Sequence, residues 1–292
     1  MQPSPAEVAR TLAAGRLAGT AQVAYRPGPH QVRHATDPSG RMLLLVSIVS
    51  DLAAALRPTG AGRATALVLD VRDLPPGAGA PPLGRVWISG WPEPLSGAEA
   101  RRAAVDFADV VPTGDLLDVG GCFTLYRFEP VEIRLERAGT VLDVEPAEYA
   151  AAEPDPLHPM ERDLLADLAD HHGPEIAAFL RRQLGDIVPP AGPDEPPPRV
   201  VRLDRYGMVV ALGGRSTRCR ARLAFPRPLA NQAELAELLH PVLCRRRHHP
   251  QHSEPGWPTV AASPTGAQRP AAGAAEQGWP AAGSPDQAWL ER

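Results

Sequence analysis

LAGTAQVAYRPGPHQVRHATDPSGRMLLLVSIV, residues 17–49, decides the fold class, because it holds three strand-like runs with a strong breaker between each. LAGTAQVAY, HQVRHAT and MLLLVSIV are rich in apolar and β-branched residues, and RPGP and DPSG separate them. Pro-Gly and Asp-Pro-Ser-Gly at this spacing describe the turns of an antiparallel meander. Before it, Ala6 to Ala14 reads as a short helix. After it, ATALVLDV (64–71) alternates Leu67, Leu69 and Val71 against Ala66, Val68 and Asp70. A Pro/Gly loop then leads to GRVWISGW (84–91) and to a helix, AEARRAAVDFADVV (98–111). CFTLYRFEPVEIRLER (122–137) closes the series as one strand in which Pro130 marks a bulge or an edge. About six strands and two short helices in about 140 residues make a small closed or partly open barrel.

YAAAEPDPLHP (149–159) reads as a linker between this unit, 1–148, and a second one, 160–247. The second unit has a long helix over 160–184, the hairpin RVVRLDRYGMVVALGG, a further strand STRCRARLAF and a closing helix over 231–247. In that strand Arg218, Arg220 and Arg222 share one face, and Cys219, Ala221, Leu223 and Phe225 the other. From 248 to 292 the composition shifts to Ala, Gly and Pro, and EPGWPTVAASP and EQGWPAAGSP form an imperfect repeat. With no apolar periodicity to offset its ordering entropy, this segment is expected to be disordered. Trp257, Trp279 and Trp289 in it suit anchors for a protein partner.

Composition narrows the chemistry. The net charge of −4 supplies no field for nucleic acid. All 30 basic residues are Arg, so neither a P-loop lysine nor a Schiff-base lysine exists. Cys122, Cys219 and Cys244 are scattered, which fits neither a disulfide framework nor a zinc ribbon, and no metal site is expected. The beginning of the chain shows no basic-then-apolar leader, and MLLLVSIVSDLAAAL (42–56) is too short and polar to span a bilayer, so a cytoplasmic protein is expected. No G-x-S-x-G appears, nor a G-x-G-x-x-G after a strand.

LADHH ending on His172, DRYG with Asp204 and Gly207, and FPRP with Phe225 and Pro228 carry a resemblance across roughly residues 6–247. The chain resembles the haem-utilisation branch of the pyridoxamine-phosphate-oxidase-like, FMN-binding split barrels. That branch includes bacterial haem-degrading proteins and the chloroplast protein that binds glutamyl-tRNA reductase. The resemblance implies an α+β protein: a split β-barrel, a small α/β sandwich domain and the disordered tail. It implies haem or FMN as ligand, a homodimer through the barrel, and haem-degrading oxidoreductase chemistry that is weak or lost. The alternative it leaves open is a non-catalytic regulatory or protein-binding module.

In that family a run S-x-L-x-x-H-T-x-N-L follows the third strand near the cofactor. Here the run is SIVSDLAAAL, in which Leu52, Ala53 and Ala55 replace the polar residues, leaving Ser47 and Ser50 as candidate cofactor contacts. Trp87, alternating with Trp91 on one strand face, is a candidate wall for a planar ligand or a core residue. His172 falls on the apolar stripe of its helix, packed or lining a pocket, whereas His171 joins Asp167 and Glu175 on the polar face. His248, beside His249 and His252, is a candidate axial ligand for a haem iron.

Overall fold

The computed structural model describes residues 1–58, 65–185, 196–213, 219–243 and, as backbone, 259–264. The chain runs α1 (Pro5–Ala13), β1 (Gly19–Val23), β2 (His30–Thr36), β3 (Met42–Ser47), α2 (Asp51–Ala55), β4 (Leu67–Arg72) and β5 (Arg85–Gly90). Then come β6 (Glu93–Pro94), α3 (Gly97–Val110), β7 (Phe123–Phe128), β8 (Glu132–Arg137), β9 (Thr140–Val144) and α4 (Pro146–Ala151). The second unit has α5 (Glu161–Leu184), β10 (Arg199–Asp204), β11 (Gly207–Leu212), β12 (Cys219–Ala224), α6 (Gln232–Leu243) and β13 (Thr259–Pro264).

The first nine strands form one curled antiparallel sheet in the order β6-β7-β3-β2-β1-β4-β5-β8-β9. The meander β1–β3 is the one read from the sequence. Residues 122–137, expected as a single strand, are two: β7 pairs with β3, and β8 pairs with β5 on the far side of the sheet. Pro130 sits at the corner between them. Gly90 makes that corner possible, because a Cβ there would lie 2.3 Å from the Phe128 ring and 2.7 Å from Glu129 O. The strand β9 was not anticipated.

MLLLV does not alternate because both of its faces are buried. Met42, Leu44 and Val46 point into the barrel core. Leu43 and Leu45 pack outward beneath α3, against Ala103 and Phe107. The chain therefore covers this strand itself and leaves no apolar face on it for a second copy. Inside the barrel, His34 is 1% exposed and neither ring nitrogen has a well-formed hydrogen bond. Burial pushes it down to about 4, against a smaller upward pull from the Val32 backbone.

The second unit packs α5 and α6 on the sheet β10-β11-β12-β13. Gly207 is required at the β10–β11 turn, since a Cβ would meet Leu223 O at 2.3 Å. Asp204 accepts the Tyr206 N–H at 2.8 Å in the same turn. The Phe225 and Leu229 N–H groups bond the carbonyls of Tyr206 and Arg205, both at 2.8 Å, so the FPRP segment is folded onto DRYG. Part of the segment expected to be disordered, Thr259–Pro264, instead pairs along β12, whose outer edge would otherwise present unpaired backbone groups. The rest of 248–292, with its three tryptophans, lies outside the described residues.

The segment 149–159 is not a free linker. Tyr149 is fully buried in the barrel core and Leu157 in the α/β core. The Arg10 guanidinium lies over the Tyr149 ring, 5.2 Å from its centroid, and donates to Ala152 O at 3.1 Å. Asp73, just past β4, has no exposed side-chain surface. It accepts Arg202 Nη1 at 2.6 Å and the Leu83 N–H at 2.7 Å. Arg202 also donates to Glu161 at 3.1 and 3.0 Å, and Glu161 accepts the Leu203 N–H at 2.8 Å. A bulge at Val201 makes this possible: it lets Val200 and Leu203 both face the α/β core while Arg202 turns to the barrel. Burial would raise the Asp73 carboxyl, but hydrogen bonds from His158 and Arg202, with the Arg202 charge, hold it at about 2.

Two outcomes follow. Replacing Arg202 by Leu leaves two carboxylates buried without their cation and should cost about 3–5 kcal/mol in urea unfolding. An apolar triple variant at 73, 161 and 202 should recover most of that loss. His34 titrates lower in the fold than its ordinary 6.5, so the unfolded chain takes up the proton first. The stability from a neutral His34 is complete above pH 6.5 and declines by up to about 3 kcal/mol as pH falls toward 4. A His34→Leu variant should show a flatter stability profile across that window.

Candidate functional site

Ser47 ends β3 and Ser50 caps α2. The Ser50 hydroxyl donates to Ser47 O at 2.7 Å and accepts the Ala53 N–H at 3.2 Å. Both of its hydrogen-bonding functions serve the turn. Leu52, Ala53, Ala55 and Leu56 are all buried in the barrel core. The positions where the resembling family places polar groups are thus interior here. What the turn offers to solvent is Ile48 and Val49, the latter 89% exposed. A phosphate needs several N–H or O–H donors, and this turn presents an apolar tip instead. The residues present do not fit an FMN phosphate at this position.

Trp87 lies on the outer face of β5, half-buried, between Asp70 of β4 and Arg134 of β8 in the paired rows. Arg85 covers the ring with its guanidinium 4.6 Å from the centroid. Asp70 fixes Arg85 by a two-point ion pair, Nε to Oδ1 at 2.7 Å and Nη2 to Oδ2. On the other flank Arg134 meets Glu132 at 2.6 Å and Asp143 at 3.4 Å. Trp91, just past β5, is 46% exposed. The result is a half-buried aromatic ring capped by Arg85, on a sheet face where both arginines are paired with carboxylates, so a flat ligand reaches the ring only if Arg85 moves off it.

His172 is half-buried midway along α5, on the stripe that continues to Ile176 and Phe179. His171 is on the surface and pairs with Asp167 at 3.1 Å, as the i, i+4 spacing requires. The helix runs unbroken through Pro174. Cys122 is exposed and Cys219 half-buried. His248 lies outside the described residues. Ser47 and Ser50 therefore share one turn, while Trp87 and His172 stand on different units. Among the described residues no group of three or more His, Cys, Asp or Glu is placed to hold a metal ion. The charged cluster Asp73, Glu161 and Arg202 was missed by sequence reasoning; an Arg inside the apolar strand RVVRLD was its one visible sign.

No protein-family model matches the sequence, and no curated protein matches it either. Solved structures do match. The heme binding protein from Mycobacterium smegmatis aligns at 23% identity over 84% of this chain and 98% of its own, with a TM-score of 0.61. The chain shares that fold. The alignment spans both units, so the split barrel with its small α/β domain holds at the level of fold. A protein of unknown function from Agrobacterium tumefaciens aligns at 15% identity over 83% of this chain and 97% of its own, TM-score 0.41. The haem storage protein HutZ from Vibrio cholerae aligns at 11% identity over 43% of this chain and 91% of its own, TM-score 0.35. Among the described residues no helix is long and apolar enough to cross a membrane.

If Ser50 is a cap rather than a cofactor ligand, Ser50→Ala should lower stability by about 1 kcal/mol in chemical denaturation. The same variant should leave any ligand affinity unchanged in titration.

Proposed function

We propose that this protein binds haem on the barrel face around Trp87 and holds no flavin. The observation that carries the reading is the pairing of a fold shared, along both units, with a protein named for haem binding and a β3–α2 turn stripped of phosphate donors. Haem needs no phosphate site; it needs an apolar or aromatic plane and cations for two propionates. Trp87 would supply the plane once Arg85 moves off its face, and Arg85 and Arg134 would exchange their carboxylate partners for the propionates. Bound haem brings a redox-active iron, and the chain's part is to hold the macrocycle and limit water at its face. His172 and His248 remain the histidines to test as iron ligands. A cytoplasmic homodimer belongs to the same reading, with the exposed Ile48 and Val49 as apolar surface near the turn.

The packed Leu52 and Ala53 also favour a second reading, a regulatory module that retains the scaffold and binds neither group. Titration separates the two. Haem should give a saturable Soret shift with micromolar affinity, and FMN should keep its free fluorescence. Trp87→Ala should weaken haem binding about tenfold or more, in line with the loss of a stacked aromatic contact. Alanine at His172 or His248 should shift the Soret maximum if that imidazole reaches the iron. Silence with both haem and FMN would leave the regulatory reading; flavin binding alone would overturn the present one.

A further inference from the structure

Between the two units lies a cavity of about 350 Å³, walled by α1, the 81–83 loop, the end of β8, β10–β11 and β12. Five arginines line it, Arg137, Arg202, Arg205, Arg220 and Arg222, and five carboxylates, Glu7, Glu153, Asp155, Glu161 and Asp204. Formal charge balances, but hydrogen-bonding capacity does not. Glu7 accepts the Ser4 N–H at 2.8 Å and the Tyr206 hydroxyl. Asp155 accepts the N–H groups of Leu157 and Arg205 at 2.8 and 3.0 Å. Asp204 holds the Tyr206 N–H and Arg222, and Glu161 is taken by Arg202 and the Leu203 N–H. Glu153 is spent on Arg205 at 3.2 Å and is 78% exposed, so water screens it.

The donors are the unspent side. The Arg137 side chain makes no hydrogen bond or ion pair among the described residues, although it is half-buried. Its neighbours across the cavity include the like charges Arg222 and Arg202 as well as Asp204, and burial with those cations pulls its pKa down. Arg220, on β12, likewise has no described ion pair. Arg205 Nε is buried with no hydrogen-bond partner among the described residues. A buried N–H without an acceptor costs roughly 1–3 kcal/mol, and here Arg205 Nε stands beside two half-buried guanidinium groups that have no ion pair among the described residues. We infer that this cavity is a binding site for a compact organic polyanion, phosphate- or carboxylate-bearing, gripped by Arg137, Arg220 and Arg205 with Arg222 in support. Guanidinium forks match both chemistries in two-point geometry. The volume is at the small end of ligand pockets, so a small metabolite fits and a macrocycle does not. This site is separate from the Trp87 face and stands whether or not haem binds there.

The test uses the full chain, with pyrophosphate and citrate as probes in calorimetry and thermal melts. At least one should bind saturably below about 1 mM, raise the melting midpoint, and weaken as salt is added. The stronger probe tells phosphate from carboxylate. Arg137→Gln and Arg220→Gln should each weaken binding about tenfold or more. Without ligand, Arg137→Gln should melt no lower than the parent, because it removes a like-charge contact rather than a bond. Should that variant fold poorly, Arg220→Gln carries the same test. Arg33→Gln, on an exposed ion pair with Asp115, is the control and should change nothing. The site is refuted by no saturable binding of either probe at 10 mM (roughly the weakest useful affinity), or by binding that both variants leave intact.

Discussion

Arg202, held between Asp73 and Glu161 with almost no exposed surface, is the constraint on which the arrangement of the two units rests. Three charges withdrawn from water are unfavourable unless every one is paired and hydrogen-bonded. That condition is met only when the β4–β5 loop, the first residue of α5 and the bulged strand β10 meet at one point. The cluster gives little net stability compared with apolar packing, but any displacement of one unit strands a charge. It therefore acts as a register device. The cavity beside it is a consequence, because the same seam that aligns Arg202 also brings Arg137, Arg205, Arg220 and Arg222 to one wall.

The motifs that carried the family resemblance turn out to serve the fold. Asp204 and Gly207 shape a turn whose backbone touches the next strand, and Phe225 fixes the chain that returns over it. Such residues are kept by steric necessity whatever the ligand, which is why fold likeness and ligand likeness separate. The β3–α2 turn shows the other side of this. Once Leu52 and Ala55 replace polar residues they join the core, and the turn gains packing as it loses donors.

Much of the barrel was legible in the chain because turn chemistry is local. Pro-Gly and Asp-Pro-Ser-Gly mark β1–β3, and the hairpin RVVRLDRYGMVVALGG marks β10–β11 within a residue or two. Pro130 was legible as a break but not as a corner, since a strand that leaves one sheet edge for the other looks locally like a bulge. Thr259–Pro264 was missed for a related reason: Ala-, Ser- and Pro-rich residues have little strand preference, and an open edge on β12 decides their pairing. His171 was placed correctly from i, i+4 spacing alone, and Ser50, proposed as a cofactor contact, is placed as a cap.

The sequence by itself determined most of the strands and the long helices, and the loss of polar residues at the expected cofactor turn. These follow from periodicity, breakers and residue identity, all of which act over a few neighbours. Tertiary structure alone decided which charges are buried together, that 149–159 is packed into both cores, and that β3 is covered on both faces by its own chain. Asp73 and Arg202 are 129 residues apart. No local pattern can signal a pairing whose energy exists only after both partners have left water.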